Sequence, residues 1–219
     1  MPRDLRVLDL GAAVPYREAL GRQMRDIEHI AGHDHAPHLL KFLQHPSVFT
    51  HGRTFDLSHL RISKYELQKK GVELFEVSRG GSVTFHGPGQ LVVYLHVDLR
   101  ALGLSLTRYL RDLEQWVIDA MASLGIRGQR LPGLTGVWVD GRKICAMGVA
   151  AKKFVSYHGL SINIHADLAY YDWIVPCGLT QPVANLQDFS TQQLDDATIT
   201  ALLLQHLPPW LAELRLLPR

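Results

Sequence analysis

The 219-residue sequence has only two cysteines, almost no charge imbalance and no long apolar run. Cys145 and Cys177 form neither a CxxC motif nor a framework spacing, which argues against a disulfide scaffold and a structural zinc site. Lysine and arginine outnumber aspartate and glutamate only 23 to 21, an excess too small to indicate a nucleic-acid binder. No window reaches the ~18 apolar residues of a membrane span, and the N-terminal MPRDLRVLDL lacks the apolar run of a signal peptide. We therefore expect a cytoplasmic protein that binds no nucleic acid, membrane or metal.

The composition predicts a folded protein of mixed class. Hydrophobic residues make up 47% of the sequence and charged residues 20%, which allows a sizeable core. The length fits one large domain, or a large lobe with a small one. Segments typical of strands and helices are mixed without regular βαβ alternation, and no repeat or long linker divides them. This pattern predicts an α+β fold with a mixed sheet.

Helices give the clearest local signals. Apolar residues at steps of three and four predict helices over 16–30 and 106–124. Ser63 and Glu66 form a capping box and predict a short helix that follows them.

A hairpin is predicted further along the chain. Asp140-Gly141 suits a type I′ turn between two apolar segments. Alternation along the second strand predicts that Lys143 and Cys145 share one face and that Ile144 and Ala146 share the other.

The segment 33–38, HDHAPH, crowds three histidines and an aspartate into one loop. Such a cluster is a candidate metal site. No second ligand cluster with matching spacing accompanies it, so solvated loop histidines are the better interpretation.

A glycine-rich stretch, 78–97, is the central feature of the sequence. Its paired glycines, Gly80 and Gly81, allow a ligand to approach the backbone closely. Gly87-Pro88-Gly89 is typical of a rigid turn that leads into an apolar strand. Arg79 and His86 flank these glycines, an arrangement that suits an oxygen-bearing or bent acyl ligand. The alternative is a structural turn before a core strand.

Two residues far apart in the sequence are candidates for covalent chemistry. Cys177 lies between Pro176 and Gly178, so its thiol has space beside it and the Gly178 N–H is a candidate oxyanion donor. Lys143 begins a nearly uncharged strand, and a lysine next to a thiol can stabilise the thiolate or accept a proton from an amine. The alternatives are a small hydrophobic cysteine and a surface lysine after a turn.

Five segments occur in an order that resembles a known family. They are HPSVFTHGR (45–53), RGGSVTFHGPGQLVVY (79–94), GVWVDGRKICAMGV (136–149), HGLSINI (158–164) and PCG (176–178). Together they are similar to the octanoyltransferases of lipoate biosynthesis, also called lipoyl(octanoyl) transferases, over roughly residues 5–205. The resemblance implies a single catalytic domain over 1–219 with a helical tail from about 195 to 219. It also implies the α+β fold of lipoate and biotin protein ligases, a mixed sheet with flanking helices.

The resemblance further implies the roles of individual residues. Cys177 is expected to be the acyl-thioester nucleophile and Lys143 the partner that lowers its pKa. His158, Asn163 and Gly178 are expected as supporting residues, although His86 and His158 are also typical of satisfied core histidines and Asn163 of a strand end. Three segments are expected to line the acyl-substrate site: Arg79, Gly80, Gly81, Ser82, Val83, Thr84, Phe85, His86, Ala146, Met147, Gly148, Gly159, Leu160 and Ser161.

The implied reaction is ping-pong acyl transfer. Octanoyl is expected to pass from the phosphopantetheine of acyl carrier protein to Cys177 and then to a specific lysine. The expected acceptors are apo lipoyl domains of 2-oxoacid dehydrogenases and the glycine-cleavage H protein. No cofactor is expected, and no Walker-type loop is present. The alternatives are an ATP-dependent lipoate-protein ligase and a non-catalytic module that binds acyl groups or lipoyl domains.

Basic side chains at the ends of the strand that carries Lys143 are candidates for docking the acidic carrier protein. They are Arg142, Lys152 and Lys153. Complementary charge would steer the carrier toward the cleft. The alternative is a solvated turn.

Overall fold

The computed structural model describes residues 3–175 and 182–217. Within these ranges the chain forms two sheets. The larger sheet has six strands in the order β1 (Leu5–Asp9), β2 (His38–Leu43), β6 (Gln90–His96), β9 (Val155–Asn163), β8 (Arg142–Lys152) and β7 (Val137–Val139). The smaller sheet has the order β4 (Glu73–Glu76), β3 (Val48–His51) and β5 (Val83–His86).

Both sheets are mixed. In the larger sheet β1 and β2 are parallel and all other neighbours are antiparallel. In the smaller sheet β3 is parallel to β4 and antiparallel to β5. The predicted α+β class with a mixed sheet is therefore confirmed.

Helices flank the larger sheet. The α-helices are α1 (Tyr16–Gly32), α2 (Lys64–Lys69), α3 (Leu106–Ala122), α4 (Asp196–Gln205) and α5 (Pro209–Ala212). Short 3-10 helices span Leu57–His59, Leu168–Trp173 and Leu186–Phe189. The predicted helices at 16–30 and 106–124 and the capping box at Ser63 are confirmed. No helix of the described chain combines the length and the apolar character that crossing a bilayer requires.

The main core lies between α3 and the larger sheet. Trp116 and Met121 of α3 are fully buried against Leu160 and Ile162 of β9 in one apolar cluster. Tyr157, which is also in β9, belongs to a second apolar cluster that includes buried residues of α1. Because every residue of β9 is buried, helices and loops cover the sheet on both faces. Each fully buried apolar side chain of this kind contributes roughly 1.5–3 kcal/mol to stability.

Two segments differ from the sequence-based expectation. Residues 83–86, predicted as part of a loop, form β5 in the smaller sheet, so Gly87-Pro88-Gly89 joins one sheet to the other. The segment 154–164, whose sequence predicts a strand pair or one long strand interrupted at Gly159, contains one continuous strand, Val155–Asn163. Cross-strand pairing with β6 and β8 supports it through Gly159, which sequence periodicity alone does not reveal.

Candidate active site

A cavity of about 300 Å³ lies between the glycine-rich segment and the paired strands β8 and β9. It brings together residues from three of the sequence motifs. The predicted site residues that line it are Arg79, Gly80, Gly81, Thr84, His86, Lys143, Ala146, Met147, Gly148, His158, Gly159, Leu160 and Ser161.

Small residues on one face of β8 and β9 make room for this cavity. Ala146 pairs with Ser161 across the strands, and Gly148 pairs with Gly159. A Cβ atom at Gly148 would lie only 2.6 Å from Cδ of Arg79. The glycine at this position therefore lets the arginine side chain lie across the sheet.

Arg79 is a fixed, buried cation on the cavity wall. Only 6% of its surface is exposed. Its Nη2 donates to the carbonyl oxygen of Thr50 at 2.7 Å and to the Thr50 hydroxyl at 3.0 Å, and its Nη1 donates to the carbonyl of Gly80 at 2.9 Å. These bonds hold the guanidinium in place and reduce the cost of burying its charge.

Three residues of the predicted segment 79–86 do not line this cavity. Val83 and Phe85 point into the core of the smaller sheet, because side chains alternate along β5 and Thr84 and His86 occupy its cavity face. Ser82 is also absent from the cavity lining; its hydroxyl is bonded to Nδ1 of His59 at 2.6 Å.

The two predicted histidines differ in their hydrogen bonds. Nδ1 of His86 lies 2.7 Å from the side-chain oxygen of Gln90 and therefore donates to it, and Nε2 lies 3.4 Å from the hydroxyl of Thr50. His158 donates its backbone N–H to Gln23, whereas its buried Nε2 has no hydrogen-bond partner among residues 3–175 and 182–217. His86 thus fits the core-histidine alternative, while His158 has a buried ring nitrogen without a hydrogen-bond partner among the described residues.

Both histidines are neutral at physiological pH. Burial is the main reason that the pKa values of His86 and His158 are lowered to about 3 each, and the charge of Arg79 acts in the same direction. A neutral imidazole in this cavity can accept or donate one hydrogen bond without adding a second cation beside the arginine.

Lys143 lies on the same cavity, at the start of β8. Asp140 and Gly141 both have positive φ, 47° and 74°, as the predicted type I′ turn requires. The ammonium donates to the carbonyl of Thr135 at 3.3 Å and lies 4.8 Å from the centre of the Trp138 ring. A backbone carbonyl and an aromatic face both stabilise its positive charge.

The predicted alternation along β8 is not kept. Trp138 pairs with Lys143 and Val137 pairs with Cys145, so Ile144 is an extra residue in a β-bulge. As a result Ile144 and Cys145 both belong to the main core.

Cys145 is a packing residue of the main core. It is 1% exposed, and burial raises the pKa of its thiol well above the usual range, with the Lys143 charge acting in the opposite direction. A buried, protonated thiol is a poor nucleophile.

Cys177, Pro176 and Gly178 lie outside the described residues, so the pairing of Cys177 with Lys143 stays a prediction. The flanking residues are described. The N–H of Val175 donates to the carbonyl of His59 at 2.8 Å, and the carbonyl of Pro182 accepts from the N–H of Lys143 at 2.9 Å. Pro182 therefore lies beside Lys143.

Asn163 lies at the end of β9 and does not line the cavity. Its side chain accepts from Gln90 at 2.8 Å and donates to the carbonyl of Ala184 at 3.3 Å. This is the strand-end role that the sequence left open.

Several lining residues were missed by sequence reasoning. Tyr16, at the start of α1, and Tyr94, in β6, both face the cavity, and the Tyr94 hydroxyl lies 2.7 Å from Nε2 of His45. Burial raises the pKa of Tyr16 to about 12. Tyr94 stands inside the glycine-rich motif and was recognisable there, whereas nothing local marks Tyr16. Gly133, Leu134 and Thr135 line the opposite wall.

The expected docking patch is divided. Arg142 begins β8 and Lys152 ends it, so the two lie at opposite ends of an 11-residue strand. Lys152 and Lys153 both pair with Glu28 of α1, and Arg142 pairs with Asp188.

The histidine-rich loop forms no cation site in the described structure. Nδ1 of His33 lies 2.9 Å from the carbonyl of His29, and His38 is buried in β2. Throughout the described ranges, no group of three or more histidine, cysteine or acidic residues is arranged to hold a metal ion.

Comparison with known proteins adds the family. Residues 15–208 match the lipoyl protein ligase A/B catalytic domain. An octanoyltransferase of Flavobacterium psychrophilum is 36% identical over 93% of this chain and 93% of its own. The chain belongs to the octanoyltransferase family. A second octanoyltransferase, from Solibacter usitatus, is 47% identical over 69% of this chain and 68% of its own.

The solved structures support the same fold at lower identity. A bipartite lipoate protein ligase from Thermoplasma acidophilum, solved in a study of its E2 lipoyl domain, superposes with a TM-score of 0.70 at 17% identity, covering 100% of this chain and 88% of that one. The mixed sheet with flanking helices is that of lipoate and biotin protein ligase catalytic domains. Membership of the octanoyltransferase family makes the protein an acyltransferase.

Proposed function

We propose that this octanoyltransferase moves octanoyl from the phosphopantetheine thiol of acyl carrier protein to a lysine of apo lipoyl domains, through an acyl thioester on Cys177. The observation that carries the proposal is the lysine ammonium of Lys143 on the wall of the cavity, between the carbonyl of Thr135 and the ring of Trp138. The other cysteine, Cys145, is buried in the core, which favours Cys177 as the nucleophile.

The acyl chain would occupy the cavity beside Gly148 and Gly159. Its volume of about 300 Å³ lies at the lower end of the roughly 300–1,000 Å³ typical of small-molecule sites.

The first step would exchange one thioester for another. The Cys177 thiolate attacks the carbonyl carbon, the new C–S bond forms, and the bond to the carrier sulfur breaks. The departing carrier thiolate takes a proton from the charged Lys143, which leaves Lys143 neutral. The charged form of Lys143 favours the thiolate. In the second step the acceptor amine attacks the acyl-Cys177 carbonyl, an amide bond forms, the Cys177 sulfur leaves, and the amine proton passes to neutral Lys143.

The energy of the reaction requires no nucleotide. Exchange of thioesters is nearly neutral, and conversion of a thioester to an amide is downhill. We therefore propose that the protein uses no cofactor of its own and acts in the cytoplasm. Apo lipoyl domains are the proposed acceptors because the relatives are named octanoyltransferases and the Thermoplasma ligase was studied with its E2 lipoyl domain.

Intact-mass spectrometry tests the proposal. Wild-type protein mixed with octanoyl-acyl carrier protein is expected to gain one octanoyl group. Cys177→Ala is expected to gain none, and Cys145→Ala, the matched control, is expected to keep the adduct. Addition of apo lipoyl domain without ATP should then move the octanoyl group to that domain.

Two outcomes would contradict the proposal. Transfer that occurs only with ATP and free acid would indicate a ligase. Binding of the carrier without any adduct on wild-type protein would indicate a non-catalytic module.

A further inference from the structure

A buried carboxylate stands behind the loop that contacts Lys143. Glu114 of α3 is fully buried, because it lies on the same helix face as Leu113 and Val117 of the main core. A buried carboxylate is costly unless it is paired and hydrogen-bonded. The carboxylate of Glu114 therefore needs hydrogen-bond partners or opposite charges in the core.

Glu114 holds both ends of the loop 130–136. Its Oε2 accepts from Nε of Arg130 at 2.9 Å and from Nη1 of Arg111 at 2.7 Å. Its Oε1 accepts from the backbone N–H of Gly136 at 3.1 Å. One carboxylate thus ties the first and the last residue of this loop to α3, and Arg130 adds a bond to the carbonyl of Arg111 at 2.9 Å.

The far end of the same loop contacts Lys143 directly. A Cβ atom on Gly136 would lie 3.3 Å from Cε of Lys143 and 2.5 Å from the carbonyl oxygen of Cys145. Gly136 also has a φ of +137°, which a residue with a side chain rarely adopts. The preceding residue, Thr135, provides the carbonyl that accepts from the ammonium.

We propose that Glu114 is a positioning residue for acyl transfer, because it fixes the loop whose Thr135 carbonyl accepts from the Lys143 ammonium at the cavity. The inference rests on the proposed role of Lys143. The charges of Glu114 and Lys143 also both act on the thiol of Cys145. Burial is the main cause of the raised pKa of this thiol, while Lys143 lowers that pKa and Glu114 raises it.

The test is a double-mutant cycle of Glu114→Gln and Lys143→Ala. Glutamine keeps an acceptor for the Gly136 N–H but loses the charge that binds two arginines. Because Arg111 and Arg130 are 46% and 35% exposed, they can turn to solvent, so we expect the variant to fold. Asp119→Asn is the matched control: Asp119 is an exposed carboxylate of the same helix that accepts only from Gln115.

The measurement is the single-turnover rate of acylation by octanoyl-acyl carrier protein, followed by intact mass. Glu114→Gln is expected to lower the maximal rate about tenfold, with the half-saturating carrier concentration unchanged, because displacement of a catalytic group slows the chemical step. A purely structural role would leave the maximal rate per folded molecule unchanged. The double variant is expected to be no slower than Lys143→Ala alone, since both changes disturb one group.

The outcomes separate this inference from the proposed function. A slow Lys143→Ala with a wild-type rate for Glu114→Gln, or with additive losses in the double variant, overturns the role of Glu114 alone. A wild-type rate for Lys143→Ala overturns the proposed role of the lysine and this inference with it. Should Glu114→Gln fail to fold, Arg130→Met replaces it: a slower, non-additive acylation supports the inference, and an unchanged rate overturns it.

Discussion

The two walls of the cavity are held in different ways. The first wall contains residues 79–81, and the backbone of 79–82 is bound to a neighbouring segment, because the N–H groups of Gly52, Arg53 and Thr54 donate to the carbonyls of Ser82, Arg79 and Gly81 at 3.0, 3.2 and 3.3 Å. The second wall contains residues 133–135 of the loop 130–136, which is tied at both ends to the single carboxylate of Glu114. Several backbone hydrogen bonds hold the first wall, so we expect changes there to affect mainly the free energy of unfolding. The second wall depends on few bonds and contacts Lys143, so we expect it to govern activity.

The largest stability effect is expected for Arg79→Met. The change removes a buried guanidinium that binds three oxygen atoms, and leaves the carbonyls of Thr50 and Gly80 without this donor. We expect the free energy of unfolding to fall by about 3 kcal/mol, measured by urea denaturation. Arg53→Met, an exposed arginine beside the same loop, is the control and should change it little. An unfolding midpoint that stays at the wild-type urea concentration would contradict the expectation that the first wall contributes most to stability.

A smaller stability loss with a clear activity loss is expected for Gly136→Ala. The added Cβ would meet the Cys145 carbonyl at 2.5 Å and press on Lys143, costing about 2 kcal/mol of stability and slowing acyl transfer at least about tenfold. Gly133→Ala is the matched control, because Gly133 also has a positive φ but nothing lies within 4 Å of its Cβ position. Equal effects of the two changes on acylation rate would argue against the Lys143 contact.

Acidification is expected to lower stability through the histidines near the first wall. His86 and His158 have pKa values of about 3 in the folded protein, against about 6.5 in the unfolded chain, so the unfolded state binds more protons between these values. The stabilisation is complete above pH 6.5 and is lost as the pH falls toward 3. Each histidine contributes a slope of up to about 1.4 kcal/mol per pH unit.

Urea denaturation at several pH values checks this effect. The His86→Gln, His158→Gln double variant should show a shallower slope than wild type. His38 and His45, whose pKa values burial lowers to about 4 each, should account for part of what remains. An identical slope for the variant would contradict the neutral state of the two cavity histidines.

The smallest effect is expected for Lys152→Glu combined with Lys153→Glu. Both lysines pair with Glu28 at the end of β8 far from Lys143. The apparent Michaelis constant for octanoyl-acyl carrier protein at low salt should stay within about twofold of wild type. Arg142→Glu, at the Lys143 end, is the comparison and should raise that constant several-fold. A large rise of the apparent Michaelis constant for the lysine double variant would indicate that this end of the strand contacts the carrier protein.

Local patterns predicted much of the fold. The apolar spacing of α3, the capping box at Ser63 and the type I′ turn at Asp140-Gly141 depend on residues near each other in the chain, so propensity and periodicity describe them well. Strand β5 was missed because its four residues follow paired glycines and gain their order from pairing with β3. The bulge at Ile144 was missed for a similar reason, since only the register with β7 defines it.

Candidate site residues divide in the same way. Motifs named Lys143, Gly148 and Gly159, and these residues lie on one cavity. The same motifs also named Val83 and Phe85, which a short strand turns toward another core. No motif marks Glu114, because its partners Arg130 and Gly136 come from a loop that sequence spacing does not bring near it.

The sequence by itself determined the class of fold, the family and the residue types available for acyl transfer, because these follow from local pattern and from motifs in a fixed order. The tertiary structure alone decided which side of each motif faces the cavity, that Cys145 is a core residue, and that one carboxylate lies behind Lys143. The physical reason is that side-chain direction and burial depend on strand register and on contacts between distant segments, which only the packed chain defines.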